Sequence, residues 1–334
     1  MKALIPVAGV GTQLRPHTHT QPKPLIPVAG KPILGHIIEN LLSAGIKEQV
    51  FIVGYLREKI QEYVQEVYGD NITAEFVVQE PRKGLAHAIW TARAQIEGEV
   101  NILIVLGDTI FGDDTALVTK MEGNVLAVHQ VDNPRAFGIA KLDDQRRVKA
   151  LVEKPEIPRS NLALVGMYRI SDVPLMIKVL DEMIAQPPRN GQEYVFTEAL
   201  MDMVNAGGEM RTHRVESWFD CGRKQSLLQA NRTLLLREAE RTGNRPPDHP
   251  GTVIIPPVFI PEGCTIEQSI IGPFVALAEN AVIRNSIVNN SIVGAYSELD
   301  SIILTQSVIG NDTSLRGKSN SINIGDNAEI DFDQ

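Results

Sequence analysis

Up to about residue 242, short apolar runs of β type alternate with longer stretches whose apolar residues recur at helical spacing. The runs at 2–7, 50–53, 73–78, 101–106, 124–129 and 164–170 read as strands. Between the first two, Ile33, Leu34, Ile37, Ile38, Leu41 and Leu42 repeat with a helical period, and Gly45 stands where a C-cap belongs. A second helical stretch, 57–68, ends similarly at Gly69, and a third starts after Ser171 with Pro174 in its opening turn. Strands alternating with helices predict an α/β fold, a Rossmann-like and mostly parallel sheet covered on both faces. In such a sheet ligands bind beyond the carboxyl ends of the strands.

The stretch GNRPPDHPG (243–251) then breaks the pattern with three prolines and two glycines and reads as a linker. Beyond it, SIIG (269–272), SIVG (291–294), SVIG (307–310) and the looser SINIG (321–325) recur. Each is followed, six positions after its last aliphatic, by another: Leu277, Leu299, Leu315 and Ile330. Aliphatics on a six-residue beat, with small or polar residues between, predict a short hexapeptide β-helix of about four coils. A single coil cannot bury its own aliphatics, so the coils must stack. An antiparallel sheet with chance repetition would not keep matching offsets four times. The chain thus divides into a domain at 1–242, a linker at 243–251 and a β-helix domain at 252–334.

Composition narrows the function. The 334 residues are 43% hydrophobic and 22% charged, with a formal net charge of −9. That balance argues against a general nucleic-acid or membrane-surface binder, so an anionic ligand must be held by a local basic site. The two cysteines, Cys221 and Cys264, form neither a disulfide framework nor a metal-ligand spacing, which points to a reducing cytoplasm. The apolar start of the chain is too short for a signal peptide and reads as the first strand. No segment reaches the roughly 18 continuous apolar residues of a membrane span.

The candidate chemistry begins in AGVGTQLRPHTHTQPKPLIPVAGKPI (8–33). Gly9 and Gly11 follow the first strand, but Leu14 stands where a dinucleotide fingerprint has its third glycine. GKPI (30–33) has a proline where a Walker motif has serine or threonine. The whole string resembles the N-terminal signature of sugar-1-phosphate nucleotidyltransferases: Gly-x-Gly-Thr-Arg-Leu, a proline, then Pro-Lys-Pro and Gly-Lys-Pro. The resemblance continues in family order through VVQEPRKGLAHAI (77–89), VLGDTIF (105–111), VEKPEIPRSNLALVGMY (152–168) and SWFDCGRKQSLLQANRTLL (217–235). With its β-helix tail, the chain is most similar to the long form of glucose-1-phosphate thymidylyltransferase, whose β-helix is left-handed.

That resemblance implies attack of a sugar-1-phosphate oxygen on the α-phosphorus of a nucleoside triphosphate, with loss of pyrophosphate. Thymidine triphosphate and glucose 1-phosphate are the favoured pair. The reaction needs alignment of two anions and neutralisation of phosphate charge. Ala8, Gly9, Gly11, Thr12 and Gln13 then cradle the triphosphate, the glycines offering backbone N–H groups. Lys23, stiffened between Pro22 and Pro24, stabilises the phosphate charge as a catalytic residue. Asp108, delivered by a buried strand to its ligand edge, is read as catalytic, as nucleotide-binding and as a Mg²⁺ ligand with Asp220. Gln79 offers an amide matched to a pyrimidine edge, and Gly84 lets the backbone approach the base. Gly138, Glu153, Lys154 and Leu164 correspond to the sugar-phosphate contacts. Gln192 and Glu193 lie where the family carries a substrate-contacting loop, their roles open. His17 and His19, without a third ligand nearby in sequence, read as polar loop residues rather than a zinc site. Trp90 reads as core.

Two departures stand out. Gln13 replaces the arginine of the signature, and Cys221 stands where threonine is common. Losing one preorganised donor at a phosphate costs about 3–4 kcal/mol of transition-state stabilisation. Arg15 is the candidate substitute: it shares a side with Gln13 in extended chain, but diverges by about 200° in a helix. The alternatives are a relative using uridine or guanosine triphosphate (UDP-glucose or GDP-mannose synthesis), or a weakly active regulatory homologue binding nucleotide or sugar phosphate. An acyltransferase role for the β-helix is disfavoured, since the coils are few and no histidine follows His249. Exposed β-helix edges suggest a homo-oligomer.

Overall fold

A computed structural model describes residues 1–112, 114–189, 191–243, 249–317 and 322–331. Most of the stretch 243–251, Ser321 of the fourth repeat, and 332–334 lie outside these residues. Two compact units emerge: Met1–Gly9 with His36–Trp218, and Val10–Gly35 with Phe219–Gln334.

The first unit is built on a nine-stranded sheet. Its strands are β1 (Lys2–Pro6), β2 (Glu48–Val53), β3 (Thr73–Val78), β4 (Ile102–Val105), β5 (Asn124–Gln130), β6 (Gly138–Leu142), β7 (Val148–Glu153), β8 (Leu162–Ile170) and β9 (Met210–Arg214). The order is β7-β6-β8-β4-β1-β2-β3, with β5 pairing both β8 and β9. From β3 to β4 the strands are parallel. Their residues are almost all buried in β1, β2 and β4, as a strand covered on both faces requires. Beyond β4 the sheet turns antiparallel at β8.

Besides two short helices, Arg93–Ile96 and Asp114–Lys120, the helices are α1 (Ile33–Ser43), α2 (Arg57–Tyr68), α3 (Leu85–Thr91), α4 (Val173–Ile184), α5 (Phe196–Asn205) and α6 (Lys224–Thr242). The end of α1 is closed by Ile46 N–H to Leu41 O and Gly45 N–H to Leu42 O, both 2.9 Å, with Gly45 left-handed. Asp172 caps α4 by accepting from Leu175 N–H at 3.2 Å, with Pro174 in the first turn. Trp90 packs against the core and donates its indole N–H to Asp181 at 2.8 Å. Among the described residues no helix is long and apolar enough to cross a membrane.

The second unit contains three parallel sheets stacked as a β-helix, consistent with the left-handed hexapeptide class. Each sheet carries an aliphatic ladder: Ile254, Ile271, Val288 and Leu304; Leu277, Val293, Ile309 and Ile324; Ile266, Ile283, Leu299, Leu315 and Ile330. These residues form its core. The repeats do not all share one side, however. SIIG (269–272) lies on the first sheet, whereas SIVG, SVIG and Asn323–Ile324 lie on the second. The serines explain why the motif recurs on both. Buried Ser269, Ser286, Ser291 and Ser307 each donate to the carbonyl two residues back, at 2.6–3.0 Å. Each oxygen also accepts an N–H from the next coil at 3.1 Å, across 15–17 residues. A hydroxyl is therefore the smallest group that both ends a corner and ties one coil to the next.

Candidate functional site

In the first unit, β1 has β2 on one side and β4 on the other, so successive connections diverge there. Such a point is where open α/β sheets bind ligands. The residues that follow β1 and β4 are Ala8, Gly9 and Asp108. Ala8 is buried and its carbonyl accepts Tyr55 N–H at 3.2 Å, while Gly9 is exposed. Asp108 is half-buried, and its Oδ1 accepts from the Thr109 hydroxyl at 3.3 Å.

Beyond the carboxyl ends of β2 and β3 lies a cavity of about 460 Å³ lined by Gly54, Arg57, Glu58 and Gln79–Arg82. Arg57 pairs with Glu58 at 3.0 Å, and the Arg82 guanidinium lies 5.9 Å from the Tyr55 ring centre. Gln79 is buried, and its Nε2 donates to Gly84 O at 2.9 Å and meets His87 Nδ1 at 3.2 Å. Burial, and then the Lys83 charge, hold the His87 imidazole below its ordinary pKa. The Gly84 carbonyl can only accept, so the Nε2 end of the Gln79 amide is the donor, and a neutral ring protonated at Nε2 accepts from it at Nδ1. Gly84 has φ +99°, and a Cβ there would lie 2.6 Å from Tyr194 O. Tyr194 N–H donates to Lys83 O at 2.8 Å and Ala86 N–H to Tyr194 O at 3.0 Å, which places Glu193 beside Gly84.

The sugar-phosphate candidates converge on the antiparallel part of the sheet. Gly138 and Glu153 face each other across the β6–β7 pair. Glu153 Oε2 accepts from the Thr197 hydroxyl, at the start of α5, at 2.7 Å. A Cβ on Gly138 would lie 2.8 Å from Thr197 Oγ1, 2.9 Å from Glu153 Oε2 and 3.2 Å from Leu164 Cδ1. Any larger residue there would displace the Thr197 hydroxyl and the Glu153 carboxylate from each other's reach. Lys154 is exposed, with its Nζ 3.8 Å from Glu153 Oε1. Tyr168 lies within electrostatic reach of both Glu153 and Asp108. Its phenol is pushed up first by burial and then by those two carboxylates.

The remaining candidates belong to the second unit. Gly11 is left-handed, and a Cβ there would lie 2.8 Å from Lys23 Cβ and 3.1 Å from Thr18 Cγ2. The Thr18 hydroxyl donates to Gly11 O at 2.9 Å. Thr12 and Gln13 are exposed in a 3-10 turn, Thr12–Leu14, and Arg15 follows in extended backbone. Lys23 opens a second 3-10 turn, Lys23–Leu25, after the extended Pro22. Asp220 Oδ1 accepts Gly222 N–H at 2.8 Å. The neighbouring Cys221 is fully buried. His17 is buried too, with Nε2 2.8 Å from Asn323 Oδ1, and Thr20 bonds to Asp326.

Sequence reading did not single out Thr197, His87, Tyr168 or Arg223. Thr197 reaches Glu153 across 44 residues and Arg223 reaches Gln13 across 210, so no local pattern marks either. His87 does fall inside the quoted KGLAHAI stretch, but only burial against Gln79 gives it meaning.

The nucleotidyl transferase family model matches residues 2–237. A low-salt glycan biosynthesis nucleotidyltransferase of Haloferax volcanii is 37% identical over 70% of this chain, which spans 66% of that relative's length. A glucose-1-phosphate thymidylyltransferase of Streptomyces griseus is 32% identical over 88% of this chain and 87% of its own. A solved structure described as UDP-glucose pyrophosphorylase complexed with UDP-glucose is similar at a TM-score of 0.62 and 25% identity. It covers 71% of this chain and 98% of its own.

Proposed function

The chain belongs to the nucleotidyl transferase family, and from that premise we propose that it transfers a thymidylyl group from dTTP to glucose 1-phosphate. A sugar-phosphate oxygen attacks the α-phosphorus, the bond to the bridging β-phosphate oxygen breaks, and pyrophosphate leaves. The observation that carries the sugar-phosphate half is the Glu153 seat. Its carboxylate is oriented by Thr197 and kept open by Gly138, on the sheet that also delivers Asp108. An oriented carboxylate there suits sugar hydroxyls, with Leu164 as an apolar wall and the Lys154 ammonium for the phosphate. Similarity to the thymidylyltransferase over most of both chains supports this nucleotide and sugar.

Ala8, Gly9, Gly11, Thr12 and Gln13 serve the triphosphate, Lys23 its developing charge, and Gln79 with Gly84 the base. Asp108 and Asp220 supply hard carboxylate oxygens of the kind Mg²⁺ prefers, and we assign them as its ligands on the family resemblance. Bound there, the metal would neutralise and polarise the triphosphate. Retention of Lys23, Asp108, Asp220, Glu153 and Lys154 supports an active enzyme over a regulatory homologue. The similarity to a UDP-glucose pyrophosphorylase structure favours UTP as the second nucleotide. A cytoplasmic homo-oligomer with domains at 1–242 and 252–334 completes the proposal.

The test is pyrophosphate release with Mg²⁺, dTTP, UTP, GTP and ATP each set against glucose 1-phosphate and mannose 1-phosphate. The highest kcat/KM is expected for dTTP with glucose 1-phosphate. A uridine preference would reassign the base, and no release in any cell of the matrix would sink the enzyme reading.

A further inference from the structure

The family resemblance leaves one charge missing, at position 13, and the second unit contains a guanidinium that meets that residue. Gln13 sits exposed in its 3-10 turn, and its Oε1 accepts a long hydrogen bond, 3.5 Å, from Arg223 Nε. Arg15, the substitute suggested by sequence, has already left the turn into extended backbone at φ −61° and ψ 142°. The 3-10 geometry therefore separates Arg15 from the Gln13 direction while Arg223 comes to it from the other end of the chain.

Arg223 is anchored at its backbone rather than by its side chain. Its N–H donates to Ser226 Oγ at 3.3 Å, and its carbonyl accepts from the Ser226 hydroxyl at 3.1 Å and from Leu227 N–H at 2.8 Å. The first turn of α6 thus fixes where the side chain starts. One residue before it, Gly222 N–H is tied to Asp220 Oδ1 at 2.8 Å. A single tight turn carries both the carboxylate assigned to the metal and the guanidinium. With Nε engaged by Gln13, the guanidinium of this exposed residue has two further terminal amino groups. Those are the donors that grip phosphate oxygens in pairs.

We propose that Arg223 is the phosphate-binding cation that replaces the signature arginine at position 13, with Gln13 acting as a positioning residue that orients the guanidinium. A neutral residue at 13 then becomes a requirement, because a second guanidinium there would repel Arg223. The inference rests on the nucleotidyl-transfer reading, and its test separates the two.

Pyrophosphate release is measured for the wild type, Arg223→Ala, the swap Gln13→Arg/Arg223→Gln, and Gln13→Arg alone, with a urea melt of each. Arg223→Ala is expected to lower kcat by about 100- to 1000-fold, the effect of one lost preorganised donor, with the melt unmoved. The swap is expected to recover most of that loss, and Gln13→Arg alone to gain nothing. Activity of Arg223→Ala within threefold of wild type overturns the proposal, as does a swap no better than Arg223→Ala. Should Arg223→Ala melt early, the swap decides by itself, since it retains a long polar side chain at both positions. An inactive wild type would instead overturn the reading on which the inference stands.

Discussion

The two units hold their candidate residues by different means. In the first, Gly138, Glu153 and Leu164 ride on strands whose places are set by backbone ladders, and Asp108 follows directly from the buried β4. In the second, Gly11, Gln13 and Lys23 ride on an irregular segment of 3-10 turns and two-residue strands, Pro27–Val28 and Lys31–Pro32. That segment makes few backbone ladders of its own, so side chains must hold it. His17 reaches Asn323, Ala29 N–H donates to the fully buried Asn231 at 2.8 Å, and Gly30 lies against the Phe259 ring. Asn231 also donates to Phe274 O at 3.2 Å, which makes one amide a clamp for two loops. The comparison implies that substitutions near the sheet's site alter substrate affinity locally. Those in the second unit divide into chemistry at the exposed edge and stability at the clamps.

The largest expected effect tests chemistry in the second unit. Lys23→Ala should lower kcat about 1000-fold, roughly the worth of one preorganised charge facing a transferring phosphoryl group. The urea midpoint should barely move, because the lysine ends in a half-exposed charge rather than in the core. A large loss of stability with modest loss of kcat would place Lys23 among the clamps and break the division.

Next comes a clamp. Gly30 has φ +84°, and a Cβ there would lie 2.4 Å from two atoms of the Phe259 ring. Gly30→Ala should therefore cost about 3 kcal/mol, from overpacking and a strained backbone together, read as a lower urea midpoint. Gly9→Ala is the control, since nothing lies within 4 Å of its Cβ position. Equal effects at the two glycines would remove the idea that the segment is held from beneath.

A smaller effect belongs to the sheet. Thr197→Val keeps the shape of the side chain but deletes the hydrogen bond to Glu153 Oε2. We expect KM for the sugar phosphate to rise about tenfold, with kcat and the nucleotide KM little changed, in line with about 1.5 kcal/mol for a hydrogen bond to a charged group. A drop in kcat alone would move Glu153 from substrate binding to the chemical step.

The same contrast governs what could be read without coordinates. The parallel half of the sheet was legible because β1, β2 and β4 are short apolar runs between helical patterns, and α1 and α4 carry their own stop and start signals. The β-helix was legible from its six-residue beat, yet the side each repeat occupies was not. SIIG and SIVG differ by a single aliphatic at one position, and only coil-to-coil register separates them. The antiparallel half was hidden because strand direction follows from which distant strands pair, Leu162–Ile170 with both Ile102–Val105 and Asn124–Gln130, and periodicity carries no trace of that pairing. At the candidate site, motif resemblance singled out Glu153 and Gln13, but their partners Thr197 and Arg223 are set by tertiary contact alone.

The smallest effect uses one buried histidine from each unit. Burial holds both His17 and His87 below the ordinary imidazole pKa. For His17 the bond to Asn323 and the Asp326 charge oppose that shift, and for His87 the Lys83 charge adds to it. A depressed folded pKa means that the neutral ring is the form the fold favours. Its stabilising contribution is complete above the unfolded value of about 6.5 and is lost as pH falls through the folded value. The urea midpoint should therefore decline from pH 7 to pH 5, and His17→Gln should flatten part of that decline, since the amide keeps a donor for Asn323. His87 predicts a different readout. Protonation at Nδ1 turns the acceptor of the Gln79 amide into a donor, so the nucleotide KM should rise over the same window, and His87→Gln should make it less dependent on pH. If His17→Gln instead changed the nucleotide KM and left the stability slope intact, the second unit would hold its segment by something other than this clamp.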